Sequence, residues 1–334
     1  MARNVSIIGG GAWGTAIAKS LADCGQNVLI WAHEKDVVSA INRNHENKTF
    51  LPGVKLPENL KATHALDDLP AHADVIFSVC PATFTTQIAA SLNPLMSADH
   101  TVVVCSKGFR ESDGALLTDV WTETVASLKN IAVFTGPSFA AEVAANKPTC
   151  LLLASRRQEA IDKVNSLFCK PTMRLYFSDD MIGAQIGGAV KNVVAIAAGI
   201  ADGLGLGHNV RAALISRGIA EMARYGVALG GKAETLSGMA GLGDVVLTAT
   251  SEQSRNFRFG QRVGRGVPVA DALNMDGKVV EGVKAARIVT VQAAGRGIDL
   301  PIIMGTDGVL SGDIAPQEAI NLLLNRPRVK EFEE

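Results

Sequence analysis

Between Met181 and Leu206 the chain reads MIGAQIGGAVKNVVAIAAGIADGLGL, and only Lys191 and Asp202 in that stretch are normally charged. A run this apolar on every side predicts a helix buried all round, so the fold must wrap it. Ala184, Gly188, Lys191 and Ala195 are spaced by four, three and four and share one helix face. Apart from the lysine that face is small, so another element or a ligand can come close to it. A buried ammonium is costly unless paired, and burial favours its neutral form. Such a lysine can give and take a proton near neutral pH. A membrane span has nearly the same length. Lys191 near its middle would then cost ~2.5–3.5 kcal/mol, and the run is rich in glycine. A core helix whose lysine snorkels to the surface fits this stretch as well, and the partners offered elsewhere decide between these readings.

Those partners begin at the other end of the chain. Val5 to Ile8 is a short β-rich run, followed at once by Gly9-Gly10-Gly11-Ala12-Trp13-Gly14 and a helical stretch from Thr15 to Cys24. Gly9, Gly11 and Gly14 give G-x-G-x-x-G between a strand and a helix, and a second strand, Asn27 to Trp31, follows. Glycines there permit a tight turn and let a pyrophosphate approach the backbone, and the helix N-terminus supplies N–H donors and a favourable dipole. The motif alone is weak; in this setting it predicts dinucleotide binding. After the second strand come His33, Glu34 and Lys35. An acid here binds the ribose hydroxyls of NAD, and a base favours the 2′-phosphate of NADP; with both signs side by side the choice between the coenzymes stays open.

Further strand-like runs recur at 74–79, 101–105, 131–135, 149–153 and 174–177, with helical segments between them. Apolar strands alternating with helices predict an α/β fold with a Rossmann-like, doubly wound, mainly parallel sheet. Ligands bind beyond the carboxyl ends of such strands, where Lys107 and the Gly136-Pro137-Ser138 turn fall. A solvated loop lysine is the plain alternative for Lys107. From Asp180 on the strand-like runs stop, predicting a dinucleotide-binding domain over 1–179 and an all-helical C-terminal substrate domain over 180–334. A chain of 334 residues favours two domains over one.

In the helical part, Gly241-Leu242-Gly243-Asp244 reads as a turn with Asp244 capping a helix, and Thr248 lies four residues on, on the same face. Ser254-Arg255-Asn256 sets a guanidinium between a hydroxyl and an amide, a natural binder of phosphate oxygens. Hydrophobic residues make up 47% of the chain and charged ones 19%, enough for a large core, and the net charge of −1 gives no reason to expect a nucleic-acid partner or an anionic membrane. The five cysteines (Cys24, Cys80, Cys105, Cys150, Cys169) are odd in number and show no C-x-x-C pairing. They are expected as free, buried thiols in a reducing compartment. No metal is expected, and no basic-then-apolar leader precedes the first strand, so a cytoplasmic location is expected.

Several stretches together carry a family resemblance: GGGAWGTA, HENKTFLPGVKLP, SKG at Lys107, GPSFAAEV, GGAVKNVVAIAAGIADGLGLG, GLGDVVLTATSEQSRNFRFG and VVEGV. From about residue 3 to residue 325 the chain resembles the soluble, bacterial-type NAD(P)-dependent glycerol-3-phosphate dehydrogenases. The resemblance implies reversible reduction of dihydroxyacetone phosphate to sn-glycerol 3-phosphate with NAD or NADP as coenzyme, feeding phospholipid synthesis. It implies that Lys191 is the acid/base, that Lys107 binds substrate, and that Asp244 and Thr248 complete the pocket. It assigns the phosphate to Ser254, Arg255 and Asn256, further substrate contacts to Gly136, Ser138 and Asn192, and the coenzyme to Gly9, Gly11, Ala12, Trp13, Gly14, His33, Glu34, Lys107, Ala140, Arg255, Val279 and Glu281. The chain departs from the pattern twice: Ala12 stands where a serine is usual, and Glu34 where an arginine is frequent. A homodimer without stable membrane insertion is expected. The rival readings are a similar dehydrogenase for another hydroxy acid and a non-enzymatic dinucleotide sensor, the latter expected to lose the lysine.

Overall fold

The structure, a computed structural model, describes residues 2–275, 280–328 and 330–331. The chain divides into two compact units, one of residues 1–188 and 226–244 and the other of 189–225 and 245–334.

The first unit is built on an eight-stranded sheet. In chain order the strands are β1 (Asn4–Ile8), β2 (Asn27–Trp31), β3 (Glu46–Asn47), β4 (Leu51–Lys55), β5 (Leu60–Thr63), β6 (Val75–Ser78), β7 (Thr101–Val104), β8 (Asn130–Thr135), β9 (Thr149–Ala154) and β10 (Met173–Ser178). The sheet order is β10-β9-β8-β7-β6-β1-β2-β5, and β3 pairs separately with β4. Neighbours run parallel except β8 and β9, which are antiparallel, so the mainly parallel sheet ends in two reversed strands. Chain order reverses direction at β1, which lies between β2 and β6. That topological switch point is where a doubly wound sheet opens a crevice for a ligand.

Alternate strand residues face opposite ways. Ile7, Phe77, Val103 and Phe134 join a core with Ile17 and Leu21, whereas Ile8, Ile76, Val102 and Val104 join another with Ile88, Leu92 and Trp121. Both faces are covered, which is why these strands carry near-continuous apolar runs. Ile17 and Leu21, four apart, lie on α1 (Ala12–Asp23), the helix after the glycine loop. A second helix, α2 (Lys35–Asn44), follows β2.

The lysine helix, Met181–Gly203, begins in the first unit and ends in the second. It is long and apolar enough to cross a membrane, yet 89% of its most apolar window is buried inside the protein. The last strand ends at Ser178, next to the division expected at 179, but the compact units part ten residues later, after Gly188. The first turns of the helix belong to the sheet unit because they pack on it: a methyl at Gly187 would meet Ala240 O at 2.3 Å, and one at Gly188 would meet Thr135 Oγ1 at 3.1 Å. Asp180 ties the helix start, accepting hydrogen bonds from Gly183 N and Lys232 N, both at 2.8 Å.

The second unit is helical throughout its described elements. Its tightest packing joins the lysine helix to the arginine helix, Arg255–Gly264. A methyl at Gly199 would lie 2.2 Å from Phe257 O, and one at Gly203 would lie 2.3 Å from Gln261 O. From the other side, methyls at Gly260 and Gly264 would each lie 2.2 Å from a carbonyl, of Ile196 and Ile200. Backbone therefore touches backbone along this crossing. Ile196, Ile200, Phe259 and Val263 flank it as an apolar core.

Candidate active site

The glycine loop follows β1 at the switch point, and each glycine has its own reason. Gly9 has φ +119°, and a methyl on it would strike Val79 O at 3.0 Å. A methyl on Gly14 would lie 2.0 Å from Gly9 O, so Gly14 lets the helix close onto the loop. Gly11 differs: nothing lies within 4 Å of where its methyl would be. It is the N-cap of α1, with no side chain capping the helix and no acid in its first turn. Open space over unsatisfied N–H donors suits an anion such as a pyrophosphate. Ala12 opens the helix, and the Trp13 ring stacks on Phe134 at 6.5 Å and 9°.

Asn47 was missed in the sequence. It is buried at 1% exposure, and its Nδ2 donates to Gly10 O and Thr15 Oγ1, both at 2.8 Å, so it braces the glycine loop from behind. Its only signal was its place inside HENKTFLPGVKLP. Beyond β2, His33 and Glu34 are exposed, and Glu34 is the residue before α2. The His64 ring, also missed, lies 6.2 Å from that of His33, because β5 pairs with β2 and sets Thr63 beside Trp31.

Lys107 follows β7, and its Nζ meets Asp244 Oδ2 at 2.8 Å. The Lys107 side chain is 18% exposed and that of Asp244 not at all, so this is a paired, desolvated lysine and not a solvated loop residue. The expected N-cap is corrected here. Met239–Gly243 forms a π-helical turn that runs into the helix Asp244–Ala249, and Asp244 has helical φ −74° and ψ −30°. Already inside the helical backbone, its carboxylate turns to Lys107. Gly136 has φ +137°, and Ser138 Oγ donates to its carbonyl at 3.0 Å; Ala140 begins the helix that follows. Cys80 and Cys105, just beyond β6 and β7, are buried, and burial pushes both thiols up, keeping them neutral. Free thiols were expected throughout, but only these two are buried: Cys24 and Cys150 are half-buried and Cys169 is exposed. Their runs lie at helix ends and on outer strands, where one side meets solvent.

In the helical unit Lys191 is 7% exposed, and its Nζ donates to Thr248 Oγ1 at 2.9 Å. The ammonium is held inside and does not snorkel. Next to it, Asn192 Oδ1 accepts from Asn256 Nδ2 at 3.0 Å, and Asn256 Oδ1 accepts from Gly282 N at 3.2 Å. The Gly282 N–H fixes which way the Asn256 amide points. Each amide oxygen thereby accepts one hydrogen bond, and the remaining N–H groups of the pair can donate to an acceptor-rich ligand. Ser254 caps the arginine helix by accepting from Phe257 N at 3.2 Å, and Arg255, its first residue, is exposed. Glu281 begins the helix Glu281–Ala294. Val279 lies outside the described residues.

A glycine loop open over Gly11, in a chain that also buries a lysine on a threonine hydroxyl, has the parts a nicotinamide-dependent oxidoreductase needs. The comparisons narrow the class. The family model for the N-terminus of NAD-dependent glycerol-3-phosphate dehydrogenase matches residues 4–161, and that for the C-terminus matches 180–321. The chain is 45% identical to the glycerol-3-phosphate dehydrogenase (NAD(P)+) of Erythrobacter litoralis, covering 100% of this chain and 99% of that protein. It is 44% identical to that of Rhodospirillum rubrum, covering 97% and 93%. The crystal structure of glycerol-3-phosphate dehydrogenase from Coxiella burnetii matches with a TM-score of 0.93 at 39% identity, covering 97% of this chain and 99% of that one. This chain belongs to the NAD-dependent glycerol-3-phosphate dehydrogenase family.

Proposed function

We propose that the protein reversibly reduces dihydroxyacetone phosphate to sn-glycerol 3-phosphate with NADH or NADPH, supplying the glycerol phosphate of phospholipids. The observation that carries this reading is the buried Lys191 ammonium held on Thr248. When bound, the reduced nicotinamide supplies the hydride. Lys191 supplies the proton: its N–H bond breaks as an O–H bond forms on the carbonyl oxygen, and its charge stabilises the developing alkoxide beforehand. Thr248 fixes the direction of Nζ, and Asp244 does the same for Lys107, which holds the substrate oxygens together with Asn192, Gly136 and Ser138.

Arg255, Asn256 and Ser254 hold the phosphate. The free N–H groups of the amide pair and a guanidinium that can bond two oxygens both favour an anion rich in acceptors. Binding energy spent on that remote group positions the reacting carbon. The residues that would hold the coenzyme are Gly9, Gly11, Ala12, Trp13, Gly14, His33, Glu34, Lys107 and Ala140 of the sheet unit and Arg255 and Glu281 of the helical unit. In this reading residues 1–179 are the coenzyme domain and 180–334 the substrate domain of a cytoplasmic homodimer that inserts in no membrane.

The test is oxidation of NADH and of NADPH by the purified protein with dihydroxyacetone phosphate. Turnover with 2-oxo acids and none with dihydroxyacetone phosphate would overturn the substrate assignment. Sedimentation of the same sample tests the dimer.

A further inference from the structure

Two cysteines remote in sequence meet on the first unit, away from the residues assigned above. Cys24 ends α1, and Cys169 lies between the helix Gln158–Asn165 and β10. The Cys169 N–H donates to the Cys24 sulfur at 2.9 Å. With an N–Cα bond of ~1.46 Å, the Cys169 Cα is no more than about 4.4 Å from that sulfur. The two backbones are thus within reach of one disulfide, whose Cα atoms sit ~4.4–6.8 Å apart.

Other bonds hold the pair in register. Lys170 Nζ meets Asp23 Oδ2 at 2.6 Å and Asn146 Oδ1 at 2.6 Å, and Lys19 meets the same Asp23 oxygen at 2.7 Å. Burial alone would raise the Asp23 carboxyl, but Lys170 and Lys19 hold it below the ordinary range, so the clamp is ionic at neutral pH. Cys169 is exposed and Cys24 half-buried. Among the described residues, no other cysteine pair shares a hydrogen bond.

We propose that Cys24 and Cys169 form a reversible disulfide site, oxidised by a small disulfide such as oxidised glutathione and restored by excess thiol. The exposed Cys169 thiolate attacks a glutathione sulfur, and one glutathione thiolate leaves. Cys24, having given its proton to solvent, attacks the Cys169 sulfur of this mixed disulfide, and the second glutathione thiolate leaves. Two protein thiols are oxidised and one glutathione disulfide is reduced to two thiols. The neighbouring Cys24 thiol, then burial, holds the Cys169 thiol protonated above its ordinary range, with Lys170 opposing. Because the thiolate is the nucleophile, closure quickens as pH rises. The bridge closes a long loop in the unfolded chain and so stabilises the fold. It sits at the end of the 12-residue α1 opposite the glycine loop, ~18 Å along the helix axis.

The full-length protein is incubated with oxidised glutathione, alkylated, digested and mapped by mass spectrometry, with thermal unfolding followed in parallel. The expected result is a Cys24–Cys169 cross-linked peptide lacking two hydrogens, alkylated Cys80, Cys105 and Cys150, and a rise in Tm that dithiothreitol reverses. Cys24→Ser and Cys169→Ser should each abolish the rise, and Cys24→Ser should leave Cys169 as its glutathione adduct. Cys150→Ser should behave as the unaltered chain. Cys24 and Cys169 both still alkylated after oxidation, bridges only between molecules, or a Tm rise that survives Cys24→Ser would each overturn the proposal.

Discussion

Replacing Lys107 with methionine keeps the length of the side chain and removes the cation that meets Asp244 at 2.8 Å. The loss falls on a carboxylate with no side-chain exposure, where water cannot stand in for the ammonium. Removing one partner of a buried pair costs ~3–5 kcal/mol. Lys107 is 18% exposed, so water entering along its path screens part of the effect, and we expect the low end, ~3 kcal/mol. The assay is urea unfolding at neutral pH for the parent, Lys107→Met, Asp244→Asn and the double variant. Once Lys107 is gone, Asp244→Asn removes a liability, and the double variant should lose at least ~1 kcal/mol less than the sum of the singles. Additivity within ~0.5 kcal/mol would refute the reasoning, because the contact would then carry no coupling. Lys107→Met should also raise the KM for dihydroxyacetone phosphate.

Lys191→Ala should lower kcat by ~10²–10⁴-fold, the usual worth of a positioned acid–base, with NADH binding by fluorescence titration nearly unchanged; a variant keeping more than a tenth of the parent kcat removes Lys191 from the mechanism. Glu34→Arg should move the ratio of kcat/KM towards NADPH by about tenfold, ~1.4 kcal/mol, measured at one salt concentration because exposed charges are screened; an unchanged ratio means that Glu34 faces away from the ribose. Glu221 gives a pH dependence. Burial raises its carboxyl to about 7, outweighing the N–H bonds from Ile302 and Ile303 that favour the charged form. Between its ordinary 4.5 and about 7 the folded chain keeps a proton that the unfolded chain has lost. Its contribution is therefore fully present below the lower value and is lost as the pH rises through about 7, a fall of up to about 3 kcal/mol. Glu221→Gln should flatten that part of the stability profile, and the same slope in the variant would refute the assignment.

The residues that announced themselves were those whose chemistry conflicts with their surroundings. Lys191 stood out because an ammonium in an apolar helix needs an explanation. The strand, glycine loop and helix at the start are contiguous, so local spacing sufficed there. What stayed hidden depends on distant partners. Nothing local tells an Asp244 that caps a helix from one that enters it and turns to Lys107 from β7. Asn47 reads as an ordinary turn residue until β3 and β4 fold it under the glycine loop. The reversal at β9 was equally silent, because a strand buried on both faces has the same composition whichever way it runs. Ser254 was read for its hydroxyl, while its capping of the arginine helix needed the helix start to be known to the residue.

The glycine crossing between the lysine and arginine helices has a consequence for motion. A contact made of side chains can slip, one rotamer at a time. At Gly199, Gly203, Gly260 and Gly264 there are no rotamers to exchange, and each methyl-sized gap is already filled by a carbonyl. The two helices therefore have a single register and must travel as one body. Lys191 and Asn192 ride on one, and Ser254, Arg255 and Asn256 begin or cap the other. The spacing between Lys191 and Arg255, the proposed proton donor and phosphate anchor, is then insensitive to temperature until the helical unit itself unfolds, so thermal softening should appear in loops before it reaches the spacing of these two residues.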